Sequence, residues 1–261
     1  MQKELESTLM ICNKCGEPQK KEIVILGVKR IVPVNCKCKR EKIQLQEQEE
    51  KAREKQDKLR QLFKNSLMDK KFENETFEKW DFNKGKKSMY NVGVRYCDKF
   101  QEAKKEGLGF LFYGTPGNGK TYLSNSIANR LLSQMHSVIC VSINALLERI
   151  RETYSKWGQE GEGEILKALS LADLLIIDDL GTEQDTEWSR SRIYNIIDNR
   201  YRNGLPLIVS TNKSIDQLKN MYHERTIDRL LEMATPILND SKSIRAEQAK
   251  KNTELLKEIL G

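Results

Sequence analysis

Gly114-Thr115-Pro116-Gly117-Asn118-Gly119-Lys120-Thr121 is the stretch on which the reading of this chain turns. An apolar run, Phe110-Leu111-Phe112-Tyr113, precedes it, and an amphipathic segment over residues 122–132 follows. Strand, glycine loop, lysine–threonine and helix, in that order, are the context that a G-x-x-x-x-G-K-[ST] match requires. The glycines let the backbone curl until several N–H groups converge on one phosphate. The helix behind adds its unpaired N–H groups and the positive end of its dipole. Lys120 is then suited to β- and γ-phosphates and the Thr121 hydroxyl to Mg²⁺. Tyr122, the next residue, is grouped with this nucleotide set.

With 261 residues, the chain has room for one sizeable domain and a small appendage. Hydrophobic residues make up 38% and charged residues 32%, so the core must be concentrated in particular stretches. No apolar run approaches the roughly 18–20 residues that span a bilayer, and the N-terminus lacks the apolar core of a signal peptide. The expectation is a cytoplasmic protein with no membrane partner. A net charge of +7 suits a polyanionic partner, although lysine-rich chains are often simply well solvated.

Six cysteines fall unevenly: Cys12, Cys15, Cys36 and Cys38 sit together, with Cys97 and Cys140 apart. Cys140 lies in an apolar run and reads as a buried thiol. The cluster reads as metal-binding in a cytosolic chain. Between its two halves, residues 22–26 and 30–34 flank Gly27-Val28 and predict a β-hairpin that returns the second pair to the first. Four thiolates then suit a tetrahedral structural Zn²⁺, against the alternative of two unliganded turns. So small a unit needs the metal to fold.

From about residue 40 to 64 the chain is almost wholly Lys, Glu, Gln and Arg, a strong helix by propensity. Leu45, Ala52 and Leu59 recur every seven residues, joined by Leu62 and Phe63. Two readings stand: a solvated connecting helix, or a docking helix for a partner protein. Phe72, Phe77, Trp80 and Phe82 then anchor an irregular boundary, and residues 89–105 predict one helix.

Beyond the phosphate loop, apolar runs over 138–143, 174–177 and 207–210 alternate with amphipathic helices, which predicts a parallel sheet in an α/β layer structure. The run Leu174-Leu175-Ile176-Ile177 ends in Asp178-Asp179. The first carboxylate suits a Mg²⁺ contact beside Thr121; the second is placed to polarise the water attacking a γ-phosphate. Asn212, after the third run, either hydrogen-bonds that phosphate or water, or caps the next helix. Arg225 and Arg229 are four apart on one helix face, so either they pair locally or one completes a neighbouring subunit's site.

The set Gly-Thr-Pro-Gly-Asn-Gly-Lys-Thr, Ile-Ile-Asp-Asp-Leu-Gly, Ser-Thr-Asn, Glu-Arg-x-x-Asp-Arg-Leu and Ser243-Ile244-Arg245 resembles the DnaC/DnaI helicase-loader and IstB group of AAA+ ATPases, over about residues 76–245. The resemblance implies a P-loop AAA+ three-layer domain with a central parallel sheet, preceded by the zinc-binding hairpin module and a helical linker. It makes Lys120 and Thr121 the Walker A pair, Asp178 and Asp179 the Walker B pair, and Asn212 sensor 1. Arg229 becomes the arginine finger acting across a subunit boundary, and Arg245 the sensor 2 arginine contacting nucleotide in cis. Asp179 stands where such proteins more often carry Glu, and the shorter carboxylate implies slow hydrolysis.

The domain layout expected is a zinc module over 1–40, a linker or docking segment over 41–75, the ATPase over 76–245 and a helical tail over 246–261. The cysteine-bearing N-terminus is similar to zinc-containing domains that engage the replicative helicase. Single-stranded DNA is implied as a further partner through residues 146–157, where Arg149, Arg151 and Lys156 track phosphates and Tyr154 or Trp157 stacks a base, against an ordinary exposed helix. The function implied is ATP-dependent delivery of a replicative hexameric helicase onto single-stranded DNA by a homo-oligomer, with hydrolysis stimulated by that DNA. An IstB-like transposition helper and a non-hydrolysing ATP-bound adaptor are the alternatives.

Overall fold

The chain, seen here as a computed structural model that describes residues 10–62, 72–154 and 161–261, divides into two compact units, Met1–Glu54 and Lys55–Gly261. In the first, strand β1 (Lys20–Ile25) pairs antiparallel with β2 (Val28–Pro33). The tip is Leu26-Gly27, one residue earlier than the sequence predicts, with φ of 51° and 77°. Two positive φ values give the turn whose twist matches a hairpin, and β-branched Val28 tolerates that region worse than Leu26. Leu26 points into solvent, 98% exposed. Helix α1 (Lys37–Leu62) opens directly after Cys36, so Cys38 sits in its first turn. The seven-residue stripe does not bury as a stripe: Leu45 is exposed and Leu59 is in the core. Phe63 lies outside the described residues.

In the second unit the continuous apolar runs become strands of one parallel sheet: β3 (Gly109–Tyr113), β4 (Val138–Ser142), β5 (Leu174–Leu180), β6 (Leu207–Thr211) and β7 (Ala234–Leu238), in the order β4-β5-β6-β3-β7. Alternate residues point to opposite faces. Leu111, Val141, Leu175, Ile177 and Val209 share one cluster, while Phe112, Cys140, Leu174, Ile176 and Ile208 share the other. One face is covered by α5 (Ile143–Glu152), α6 (Glu162–Leu171), α7 (Glu187–Arg202), α8 (Ile215–Met221) and α9 (Glu224–Met233). The other is covered by α2 (Lys87–Asp98) and α4 (Lys120–Ser133). This is the three-layer P-loop architecture expected.

Three details depart from expectation. The helix predicted over 89–105 breaks at Lys99 (φ −109°, ψ 19°) into α2 and α3 (Phe100–Lys105). The sequence reading also missed β7, whose Ala-Thr-Pro-Ile-Leu composition is weak for a strand; Pro236 is tolerated because the strand pairs on one side only, with β3. Of the boundary aromatics, Phe72 and Phe77 are buried while Phe82 is 57% exposed.

The strand order brings the C-terminal ends of β3, β5 and β6 to one edge, where ligands of open α/β sheets bind. Gly109 allows that packing, since a Cβ there would lie 1.9 Å from the carbonyl oxygen of Leu207.

Candidate nucleotide site

The loop from Gly114 to Gly119 leaves β3 and enters α4 through left-handed glycines, with φ of 135° at Gly114, 77° at Gly117 and 91° at Gly119. Asn239, beyond β7, locks it: its N–H donates to Tyr113 O at 2.8 Å, its Nδ2 donates to Asn118 O at 2.9 Å, and its carbonyl accepts from Asn118 Nδ2. A Cβ on Gly114 would strike that same carbonyl at 2.3 Å. On the outer side, Ile244 N–H donates to Gly117 O at 2.9 Å, which pins the start of α10 (Ile244–Leu260) to the loop.

Lys120 Nζ donates to Gly114 O (2.9 Å), Thr115 O (2.8 Å), Asn118 Oδ1 (3.1 Å) and Asn212 Oδ1 (2.9 Å). Burial draws its pKa down, while Asp179 and Asp178 pull the other way. Thr121 Oγ1 lies 3.1 Å from both carboxylate oxygens of Asp178. Asp178 also accepts from Ser210 Oγ, and burial pushes its pKa up, with Asp179 adding like-charge repulsion. Asp179 receives Asn212 Nδ2 at 3.3 Å, and its N–H donates to Ser210 Oγ at 3.2 Å.

These groups surround a cavity of about 200 Å³ whose wall includes Glu75, Lys120, Thr121, Asp179, Asn212 and Arg245. Alongside lies a second cavity of about 290 Å³, with Trp80, Met89, Tyr122 and Ile244 on its wall together with Asn118 and Gly119 of the phosphate loop. A charged cradle beside an apolar slot with aromatic rings suits a ligand that joins polyanion to flat base. The groups present fit those expected: a left-handed glycine loop and an ammonium for phosphate, a hydroxyl beside a carboxylate for Mg²⁺.

The structure thus brings together residues 114–122, Asp178, Asp179, Asn212 and Arg245. Arg229 stands apart, on α9, where its Nη1 lies 2.5 Å from Tyr194 Oη and 2.7 Å from Asp198 Oδ1, and its guanidinium sits 5.1 Å from the Tyr194 ring centre. Asn239, Ser210, Glu75 and the slot residue Met89 were missed. Ser210 is the first residue of the Ser-Thr-Asn motif, so its role was within reach; Asn239 carries no local signal. Tyr154, in the turn just beyond α5, is exposed, with its hydroxyl donating to Glu162 at 2.6 Å; Ser155, Lys156 and Trp157 lie outside the described residues.

In the first unit, the thiols of Cys12, Cys15, Cys36 and Cys38 all lie within 4.8 Å of one another. Tetrahedral Zn–S bonds of about 2.3 Å place sulfurs roughly 3.8 Å apart, so the set fits a closed structural zinc site. The backbone N–H groups of Cys38 and Glu17 hold the Cys15 thiol down to about 6. No helix among the described residues is long and apolar enough to cross a membrane.

Comparison with known proteins bears on these features. The family profile described as IstB-like ATP binding protein matches residues 37–252. The replicative helicase loader DnaC of Buchnera aphidicola subsp. Schizaphis graminum (strain Sg) is 29% identical over 172 residues, 66% of this chain and 65% of that protein. Its counterpart in Escherichia coli (strain K12) is 26% identical over 174 residues, 66% of this chain and 69% of that one. The chain therefore spans about two thirds of the length of the curated relatives it matches. A crystal structure of the DnaC helicase loader superposes with a TM-score of 0.57 at 23% identity, over 66% of this chain and all of that one (100%). AMPPCP-bound DnaA from Aquifex aeolicus superposes with a TM-score of 0.56 at 19% identity, over 71% and 56%. Those two likenesses carry the fold, and the profile, which covers most of the sequence, carries the family: the chain belongs to the IstB-like ATP binding proteins.

Proposed function

We propose that this protein is an ATPase that delivers a replicative hexameric DNA helicase onto single-stranded DNA, with ATP binding and hydrolysis governing its self-assembly and release. The observation that carries this reading is the meeting of Lys120 with Asn212 on one cavity wall, where Thr121 is backed by the buried Asp178. The DnaC loaders among its relatives supply the process. Its working divisions are a zinc module over 1–40, a linker or docking segment over 41–75, the ATPase over 76–245 and a tail over 246–261.

In this reading the loop amides and Lys120 bind the β- and γ-phosphates, and the base lies in the slot beside Trp80 and Tyr122. Thr121 and Asp178 would hold Mg²⁺, which supplies positive charge against the phosphate oxygens. Asp179 accepts the proton of the attacking water while Asn212 orients that water or the γ-phosphate. The bond between the β- and γ-phosphoryl groups breaks, leaving ADP and phosphate. Arg245 neutralises charge in cis, and Arg229 acts on the site of a neighbouring copy. Cys12, Cys15, Cys36 and Cys38 would hold Zn²⁺, which supplies cross-links in place of a core. Arg149, Arg151, Lys156, Tyr154 and Trp157 are the DNA-contacting set.

The test combines the full chain, ATP with Mg²⁺, a single-stranded oligonucleotide and a hexameric replicative helicase. Helicase transfer to the oligonucleotide should require ATP and disappear in Lys120→Ala. Equal transfer by that variant would overturn the proposal.

A further inference from the structure

Asp179 is one of three non-glycine residues with positive φ among the described residues, at 57°. A non-glycine residue holds that conformation only where its surroundings specify it. Part of the specification comes from Thr182. The Asp179 carbonyl accepts both the Thr182 N–H at 3.2 Å and the Thr182 hydroxyl at 2.8 Å. With its hydrogen committed there, Thr182 Oγ1 serves as an acceptor, and Asn144 Nδ2 donates to it at 3.0 Å. Asn144 lies in the first turn of α5. Two consecutive hydrogen bonds therefore run from α5 to the backbone of the residue proposed to activate water.

The rest of the loop is held from other sides. Gly181 N–H donates to the buried Glu183 carboxylate at 2.9 Å, and Glu183 accepts from Tyr222 Oη. Those contacts are buried and belong to the folded framework. Asn144 and Thr182 are both exposed, where a hydrogen bond exchanges readily with water and contributes little to stability. A contact that is weak for folding yet aimed at the Asp179 backbone fits an adjustable support.

We propose that Asn144 and Thr182 form a positioning pair that transmits the placement of α5 to Asp179 and so sets the rate of ATP hydrolysis. The pair rests on the ATPase reading above. Because α5 also carries Arg149 and Arg151, a polyanion that shifts this helix acts on turnover through the same two bonds. Neither residue lines either cavity, so their effect falls on kcat and leaves ground-state binding alone.

The test is steady-state turnover and equilibrium ATP binding of the full-length protein with Asn144→Ala, Thr182→Val and Thr182→Ser, each with and without oligothymidylate. Thr182→Val and Asn144→Ala should lower kcat by roughly fivefold or more with KM and ATP affinity within about twofold, since misplacing a catalytic group acts on the chemical step. Thr182→Ser, which keeps the hydroxyl, should retain at least about half of the wild-type rate, and any rise with oligothymidylate should be absent in Asn144→Ala. Unchanged kcat in both truncating variants overturns the pair, as does loss of ATP affinity in step with kcat, which would mark a plain structural role. A wild-type chain that turns over ATP but ignores oligothymidylate sinks the DNA reading alone, and the kcat of the variants still decides this one. Absence of wild-type turnover overturns both.

Discussion

The two units of this chain solve the same problem by opposite means. The unit over Lys55–Gly261 buries a sheet on both faces: Leu111, Phe112, Leu174, Leu175 and Ile176 are all 0% exposed. The unit over Met1–Glu54 has a two-stranded hairpin with Val24, Ile25, Leu26, Val28 and Ile31 on its surface, and four clustered thiols. A hairpin of two strands is marginal in water. One unit is stabilised by removing apolar surface from water, and the other has four thiols placed where a metal would cross-link them. Changes to the core and to the thiols should therefore act on different halves.

The largest separation is expected from stripping zinc from the zinc-loaded protein with a strong chelator. Structural zinc in small modules contributes on the order of 10 kcal/mol, so the first unit should lose its fold. Hydrogen exchange should show the β1 and β2 amides unprotected while ATP affinity stays within about twofold. Protected hairpin amides after complete metal removal would break the comparison.

Next comes side-chain truncation. Ile176→Ala, in the fully buried layer, should cost about 3–4 kcal/mol, and Ile23→Ala, at a half-buried position of β1, under about 1 kcal/mol. Exchange of the most protected amides of each unit reads both, and equal losses would mean that the hairpin has a core after all.

Asp173 sharpens the contrast through pH. Burial opposes its charge, yet Lys104 Nζ at 2.9 Å, the Ser137 N–H at 2.8 Å and Lys55 Nζ at 3.0 Å outweigh it and hold the carboxyl well below the usual range. A depressed carboxylate pKa stabilises the fold above the ordinary value of about 4, and that support is lost as pH falls toward the lowered one. Asp173→Asn should destabilise the second unit by about 2 kcal/mol at neutral pH, with the gap narrowing below about pH 4. A gap independent of pH would remove the charge from the explanation.

The smallest effect concerns the hairpin tip. Leu26→Gly relieves a side chain from left-handed backbone and should be neutral or stabilise the first unit by up to about 1 kcal/mol. Destabilisation instead, read from the same amides, would show that the exposed leucine packs on something in solution.

Local chemistry makes much of the second unit legible in the sequence. The phosphate loop, four of the five strands and the Asp178-Asp179 pair follow from short apolar runs, glycine spacing and residue type. What stayed hidden depends on partners distant in sequence. Asn239 clamps Asn118 across 121 positions, and nothing around residue 239 advertises it. Arg200 sits fully buried because carbonyls of Leu169, Ala172, Asp173 and Pro206 accept its guanidinium hydrogens, an arrangement that its charged sequence neighbourhood disguises. Gln56 reads as one more polar residue of a solvated helix, yet its amide pairs with both the N–H and the carbonyl of Val138, each at 3.0 Å.

Arg229 marks the limit most clearly. Its spacing from Arg225 could be read in one dimension, but its seat against Tyr194 and Asp198 required α7 and α9 to be packed together. By itself the sequence determined most of the elements, the phosphate loop and the clustering of four thiols, because backbone preference and hydrophobic period act over a few residues. Only the tertiary structure decided which side chains converge: a hydrogen bond or ion pair needs its partners within about 3 Å, and chain packing alone sets that distance.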